Sequence, residues 1–370
     1  MLPFSIFLNI IANLLAFVLL GFNYYFVYRW CQVDCSSLAT VYSTIGLISV
    51  FLTLLNFTGW IFVPLILSKT QGQNIAPEKL RQESDLQGLF VEKYPFPGSR
   101  ITLIFTHGWS TTAQIWYYFG KALGNKYNLV FWDEPGLGKS QQPTNDDYSL
   151  TKYATDLKNI IQTISSDQKI ILVGHSIGGM IIQQLYKEYP SFSKDHIHGI
   201  ALFNTTYINP IKTALFGDFL IKLQDVLIKP VLLIQAFSWP IWQLNNLFSF
   251  LNGSLHLAGY VSGFRGNQTR NELNFTSRLM LTSRVDTVAK GTLGMLKLDT
   301  LETLKNIQVP ALVIGGKNDI MTKPEASQVI ANNIPNSTLH IIENTGHMGT
   351  LENAKVYIDY LDKFIMTNFK

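Results

Sequence analysis

From about residue 98 to the end of this 370-residue chain, short apolar runs alternate with helix-periodic segments. No other feature restricts the architecture as much. The apolar runs are Ile101–Thr106, Tyr127–Trp132, Ile170–Val173, Ile200–Phe203, Ala311–Ile314 and Leu339–Ile342. Between them, Thr112–Leu123, Leu150–Ile164, the segment from Gly174 to Tyr189, Pro324–Asn333 and Glu352–Met366 read as helices. Strands that are apolar throughout bury both faces, so the pattern predicts an α/β fold, a mostly parallel sheet with helices on both sides. Residues 206–296 break the rhythm and are rich in aromatics (Phe216, Phe219, Phe237, Trp239, Trp242, Phe248, Phe250). They are expected to form a helical cap over one end of the sheet. The organisation is therefore a core of residues 98–205 and 297–370, interrupted by the cap and preceded by a polar linker, 69–97, with Pro77, Pro95 and Pro97.

Residues 1–68 are different in kind. They carry two charged side chains, Arg29 and Asp34, and the stretches Leu2–Tyr28 and Leu38–Leu67 carry none. Each is long enough for a spanning helix of about 20 residues. Tyr24, Tyr25, Phe26, Tyr28, Trp30 and Trp60 crowd the stretch ends, as aromatics do at a headgroup boundary. A cleaved signal peptide would open with positive charge, yet the first 28 residues hold no Lys or Arg. A transmembrane hairpin is the expectation, and one span plus an interfacial or buried helix is the alternative. Lys69, Lys79 and Arg81 follow the second stretch and favour a domain on the cytoplasmic side. Cys31 and Cys35 fall in the connecting loop.

Composition excludes other classes. At 47% hydrophobic and 15% charged the chain is too apolar to be mainly disordered. Two cysteines rule out a disulfide framework or a thiolate metal cluster. The net charge of +4 is scattered and leaves no nucleic-acid footprint.

The chemistry is carried by Gly174-His175-Ser176-Ile177-Gly178, followed by Gly179. It has the form G-x-S-x-G between a strand and a helix, the context of a nucleophile elbow. Gly174 and Gly178 permit a turn too tight for side chains, which holds Ser176 exposed and leaves the Ile177 N–H to meet an oxyanion. A serine needs a base, and the base an orienting acid. Asp319 follows one predicted strand and His347 the next, in the chain order serine, acid, histidine. Alone, Asp319 would read as a helix cap and His347 as a loop histidine; order, placement and Ser176 together favour the relay. Asn204, at the end of another strand, lacks the charge for the acid role. The second oxyanion donor is expected from the loop His107-Gly108-Trp109, where Gly108 turns the chain to aim the Trp109 N–H. His107 is expected to hold that loop by hydrogen bonds, and His175 to be structural.

On these motifs, with Asp133-Glu-Pro-Gly136-Leu-Gly138-Lys-Ser140 and Gly346-His347, residues 98–370 resemble the α/β-hydrolase superfamily, in particular carboxylesterases and monoacylglycerol-lipase-like enzymes. The resemblance implies an α/β-hydrolase fold, a Ser176–Asp319–His347 triad, a lid at 206–296 and no cofactor. The expected activity is hydrolysis of a carboxylic ester, of a small molecule or a lipid taken from the bilayer. Two rival readings stand beside it, an acyltransferase with the same triad and a non-catalytic subunit of a membrane complex. Trp109 is bulkier than the residue many relatives carry, and Asp133-Glu-Pro replaces a common Asp-x-Arg.

Overall fold

The computed structural model describes residues 13–14, 18, 20–25, 28–29, 37–75, 82–164 and 167–369. An eight-stranded sheet forms the centre: β1 (Gln82–Leu86), β2 (Leu89–Tyr94), β3 (Ile101–Thr106), β4 (Asn128–Trp132), β5 (Lys169–His175), β6 (Ile197–Phe203), β7 (Ala311–Gly316) and β8 (Ser337–Ile342). Their spatial order is β1-β2-β4-β3-β5-β6-β7-β8. From β4 to β8 every pairing is parallel. Strand order reverses at β3, and the register sets Thr106 beside Gly174 and His175 beside Phe203. The loops after β3, β5, β6 and β7 therefore emerge along one edge, where such sheets place their sites.

Period-two alternation divides the strand residues between two cores. Ile104, Val130, Leu172, Leu202 and Val313 pack under α3 (Leu150–Gln162) and α4 (Ile177–Glu188). Leu103, Phe105, Phe131, Val173 and Ile314 pack under α2 (Tyr117–Leu123) and α12 (Ala354–Phe369). In α3 the expected stripe from Leu150 to Ile161 is buried, and Ser149 Oγ caps the helix by accepting from Lys152 N at 3.2 Å. Helices α5 (Pro190–His196) and α11 (Pro324–Asn333) complete the layers.

The linker expectation for residues 69–97 is corrected: residues 82–94 form β1 and β2, an antiparallel hairpin that extends the sheet. Gln87 and Gly88 turn it, with φ of 55° and 87°, and Asp85 Oδ1 accepts from Gly88 N at 2.7 Å. Strand β1 is an exposed edge of polar residues, so no apolar alternation announces it.

The cap is helical: α6 (Lys229–Phe237), α7 (Trp239–Leu251), α8 (Ser254–Gly263), α9 (Arg270–Thr282) and α10 (Val285–Met295), with shorter turns between Pro210 and Ile228. Ile208 and Asp299 pair as an isolated antiparallel bridge where the chain leaves and rejoins the core.

Of the expected hairpin, most of the first stretch, with Cys31 and Cys35, lies outside the described residues. The second stretch is α1 (Ser37–Leu67). It bends by 62° between Gly46–Leu54 and Asn56–Leu67, and no single helix among the described residues is long and apolar enough to cross a membrane; the bent pair passes only together. Rather than standing apart, α1 packs on α7, α8 and α9. Gly59 lies directly on the cap, where an added Cβ would fall 2.1 Å from the Asn252 carbonyl oxygen. Trp60, expected at a headgroup boundary, stacks on Phe250 at 6.3 Å between ring centroids. Asn13 is buried against the same surface. Its amide donates to Asn245 Oδ1 (2.7 Å) and Ser249 Oγ (3.0 Å) and accepts from Asn252 Nδ2 (2.7 Å).

Candidate active site

Ser176 sits between β5 and α4 with φ 55° and ψ −117°, a backbone region that non-glycine residues enter only when the surroundings hold them there. The surroundings do so. Ser176 N donates to Phe203 O at 3.0 Å, and Thr205 Oγ1 donates to Ser176 O at 2.6 Å. A Cβ at Gly174 would lie 2.5 Å from the Gly178 carbonyl carbon, and one at Gly178 2.2 Å from Thr106 O. Those two glycines are a steric requirement of the turn.

The elbow brings Ser176 Oγ to 3.0 Å from His347 Nε2. His347 Nδ1 lies 2.8 Å from Asp319 Oδ2. A carboxylate only accepts, so the ring proton resides on Nδ1 and Nε2 is free to accept from the serine. Asp319 also accepts from Met321 N, Thr322 N, Thr322 Oγ1 and Asn204 Nδ2 at 2.7–3.0 Å. Burial pushes the Asp319 carboxyl up, but the facing His347 and the hydrogen bonds from His347, Asn204 and Thr322 outweigh it, leaving the carboxyl below its ordinary value. The anion is thus maintained inside the protein, ready to balance an imidazolium.

The loop after β3 lies against the elbow: a Cβ on Gly108 would sit 3.5 Å from Ser176 Cβ. His107 is fully buried and burial lowers its pKa. Being neutral, it forms no ion pair with Asp133 or Glu134, each 3.9 Å away. Its Nε2 accepts from Glu134 N (3.0 Å), so Nδ1 carries the proton and bonds Gly108 O (2.9 Å). Thr111 Oγ1 donates to the same carbonyl. Holding Gly108 O in this way turns the Trp109 N–H, on the opposite side of that peptide, away from it. Among the described residues, neither the Trp109 N–H nor the Ile177 N–H donates to a backbone carbonyl. The Ile177 side chain is fully buried. The bulk of Trp109 has a structural reason: its Nε1 donates to Val288 O (3.1 Å) and Thr292 Oγ1 (3.2 Å) of α10, over Gly291.

His175 is held neutral, its pKa pushed down to about 3 by burial and by the neighbouring His347. Its Nε2 donates to His347 O at 2.9 Å, tying the elbow to the histidine loop. Glu352 holds that loop from the other side, accepting from Gly346 N (2.8 Å) and from Arg265 N at the end of α8. No local motif in the sequence marks Asn204, Thr322 or Glu352 as supporting groups. Asn204 lacks the charge of an acid, but it donates to Asp319 and accepts from Tyr357 OH at 2.6 Å.

The Asp133–Ser140 segment is architectural. Asp133 accepts from Ala113 N and Lys139 N, and Gly138, at φ 55°, has no room for a Cβ beside that carboxylate. Glu134 is fully buried with neither carboxyl oxygen hydrogen-bonded; burial, then the adjacent Asp133, raise its pKa well above the usual 4.5. The carboxyl holds its proton to a higher pH in the folded chain than in the unfolded one. Stability from this group is therefore complete below about pH 4.5 and is lost as pH rises toward the folded value. Denaturant unfolding between pH 5 and pH 8 is expected to show the wild type falling relative to Glu134→Gln by up to about 1.4 kcal/mol per pH unit. Parallel curves would mean that the carboxyl is ionised in the fold.

Above Ser176 and His347 a cavity of about 240 Å³ extends under the cap. Its lining contains no Asp, Glu, Lys or Arg, and Met180, Met280, Met295, Met321 and Met348 all face it. These are five of the chain's seven methionines, giving a wall that adapts to flexible apolar ligands.

Residues 101–354 match the family described as the alpha/beta hydrolase fold. A proline iminopeptidase of Saccharolobus solfataricus is 25% identical over 280 residues, 75% of this chain and 88% of the relative. A monoacylglycerol lipase of Xenopus laevis is 22% identical over 281 residues, 74% of this chain and 78% of the relative. A solved esterase from Thermogutta terrifontis superposes with a TM-score of 0.61 at 18% identity, covering 78% of this chain and 99% of that one.

Proposed function

The chain belongs to the alpha/beta hydrolase family, and on that premise we propose that it is a membrane-anchored serine hydrolase of uncharged carboxylic esters with apolar acyl chains. One observation carries the reading: Ser176 Oγ, His347 and Asp319 stand in a single hydrogen-bonded line of 3.0 and 2.8 Å. In this mechanism His347 removes the hydroxyl proton as Ser176 Oγ attacks the ester carbonyl. Asp319 stabilises the imidazolium, and the amides of Trp109 and Ile177 receive the oxyanion. The protonated His347 then gives its proton to the leaving alcohol. Water, activated by the same imidazole, releases the acid and restores Ser176.

The cavity supports the substrate class. A peptide amino terminus would find no carboxylate in its lining, and a phosphate or free carboxylate no Lys or Arg. An apolar acyl chain loses nothing there and gains about 0.8 kcal/mol per buried methylene. The membrane part of the reading rests on exposed apolar surface. Leu47, Phe51 and Ile66 on α1 and Phe216, Phe219, Phe237 and Ile241 on the cap are 60–92% exposed. Such surface is costly in water and favourable in a bilayer. With Lys69 following α1, the positive-inside rule puts the hydrolase domain on the cytoplasmic face.

Membranes carrying the full chain, washed with carbonate and treated with a fluorophosphonate probe, test both parts. The expected result is a labelled band retained in the membrane pellet and absent for Ser176→Ala. A folded wild type that takes no label defeats the hydrolase reading. Label in the supernatant defeats the anchor.

A further inference from the structure

The cap side of the cavity holds two carboxamides that the mechanism does not use. On α6, Gln235 lines the cavity and is only 7% exposed. On α7, Asn246 lines the same cavity. Other polar cap groups there are engaged with the protein: Trp242 Nε1 donates to Ser238 Oγ, Thr276 Oγ1 to Glu272 O, and Thr292 Oγ1 to Val288 O while accepting from Trp109. Among the described residues, Gln235 and Asn246 have no side-chain hydrogen bond. Neither amide is committed to a protein partner, so both are available to a molecule in the cavity, and a leucine at 235 would have continued the apolar lining. The remainder of α6 follows ordinary cap logic, with Leu232 buried and Leu233, Ile234 and Phe237 exposed.

We infer that Gln235, with Asn246, forms a polar subsite that receives an uncharged, hydroxyl-bearing part of the ester substrate. A carboxamide offers donors and an acceptor together, the complement of a hydroxyl, which donates and accepts through one oxygen. With no formal charge in the lining, the same amides give no compensation to an anion or a cation. Whether the hydroxyl resides on the alcohol or the acyl side of the ester is what the two arms of the test separate. The inference rests on the ester-hydrolase reading.

The test measures kcat/KM of the full-length protein on ethyl octanoate, on glyceryl monooctanoate (hydroxyls on the alcohol side) and on ethyl 8-hydroxyoctanoate (hydroxyl on the acyl side). The wild type is expected to prefer one hydroxylated ester over ethyl octanoate. Gln235→Leu is expected to reduce that ratio about tenfold, mainly through KM, the effect of one neutral hydrogen bond at a desolvated site. Asn246→Leu is expected to reduce it in the same direction. Turnover of ethyl octanoate by each variant shows that the fold is intact. Ratios unchanged in both variants, or a wild type that turns over ethyl octanoate without preferring either hydroxylated ester, overturn the subsite. A wild type inert toward all three overturns the ester-hydrolase reading itself.

Discussion

A His347→Ala enzyme is expected to lose about a millionfold in kcat on a short p-nitrophenyl ester, with little change in KM. Ser176 Oγ lies 3.0 Å from His347 Nε2, the base of the proposed mechanism. Removing that ring leaves a neutral hydroxyl as nucleophile and no acid for the leaving alcohol. Ser176→Ala is expected to cost about as much, and the double variant little more, because the two groups act as one unit. What survives should be the contribution of binding and the backbone amides, a factor of about 10³–10⁴ over water. Steady-state kinetics on purified variants decide the matter. Activity of His347→Ala within tenfold of wild type would require another base, and His175 does not qualify, being held neutral by burial with its Nε2 committed to His347 O.

Asp319→Asn should be the next largest loss, about 10⁴-fold in kcat. Five donors converge on that carboxylate: His347 Nδ1, Asn204 Nδ2, Met321 N, Thr322 N and Thr322 Oγ1. A carboxamide presents one oxygen and turns an NH₂ on some of them. If the NH₂ meets His347, the imidazole adopts the wrong tautomer and Nε2 no longer accepts the serine proton. If it meets the Met321 and Thr322 amides, donors there lose their acceptor. The second outcome adds a stability loss of roughly 1–3 kcal/mol, measurable by denaturant unfolding beside the kinetics. An Asn variant with wild-type kcat would remove Asp319 from the relay.

The core was legible because its signals are local. Strands such as Ile101–Thr106 and Ala311–Gly316 are apolar on both faces, and a parallel sheet leaves the residues after its strands on one edge. That is why Ser176, Asp319 and His347 could be named from order and placement, though the 142 residues between Ser176 and Asp319 give no hint of the distance between them in space. The hairpin of β1 and β2 was not legible, since an edge strand reading Gln-Glu-Ser-Asp-Leu has no buried face to write a pattern. Supporting groups were hidden for a different reason. Asn204, Thr322 and Glu352 matter only through partners brought together by folding. The second apolar stretch read as a membrane span because hydropathy registers how apolar a helix is, not what covers it; Gly59 and Trp60 lie against the cap.

The indole of Trp109 has one consequence for turnover. It is bonded to Val288 and Thr292 of α10, while the backbone N–H of the same residue is the one proposed to receive the oxyanion. Any displacement of α10 would pull on the residue whose N–H the proposed mechanism assigns to the oxyanion.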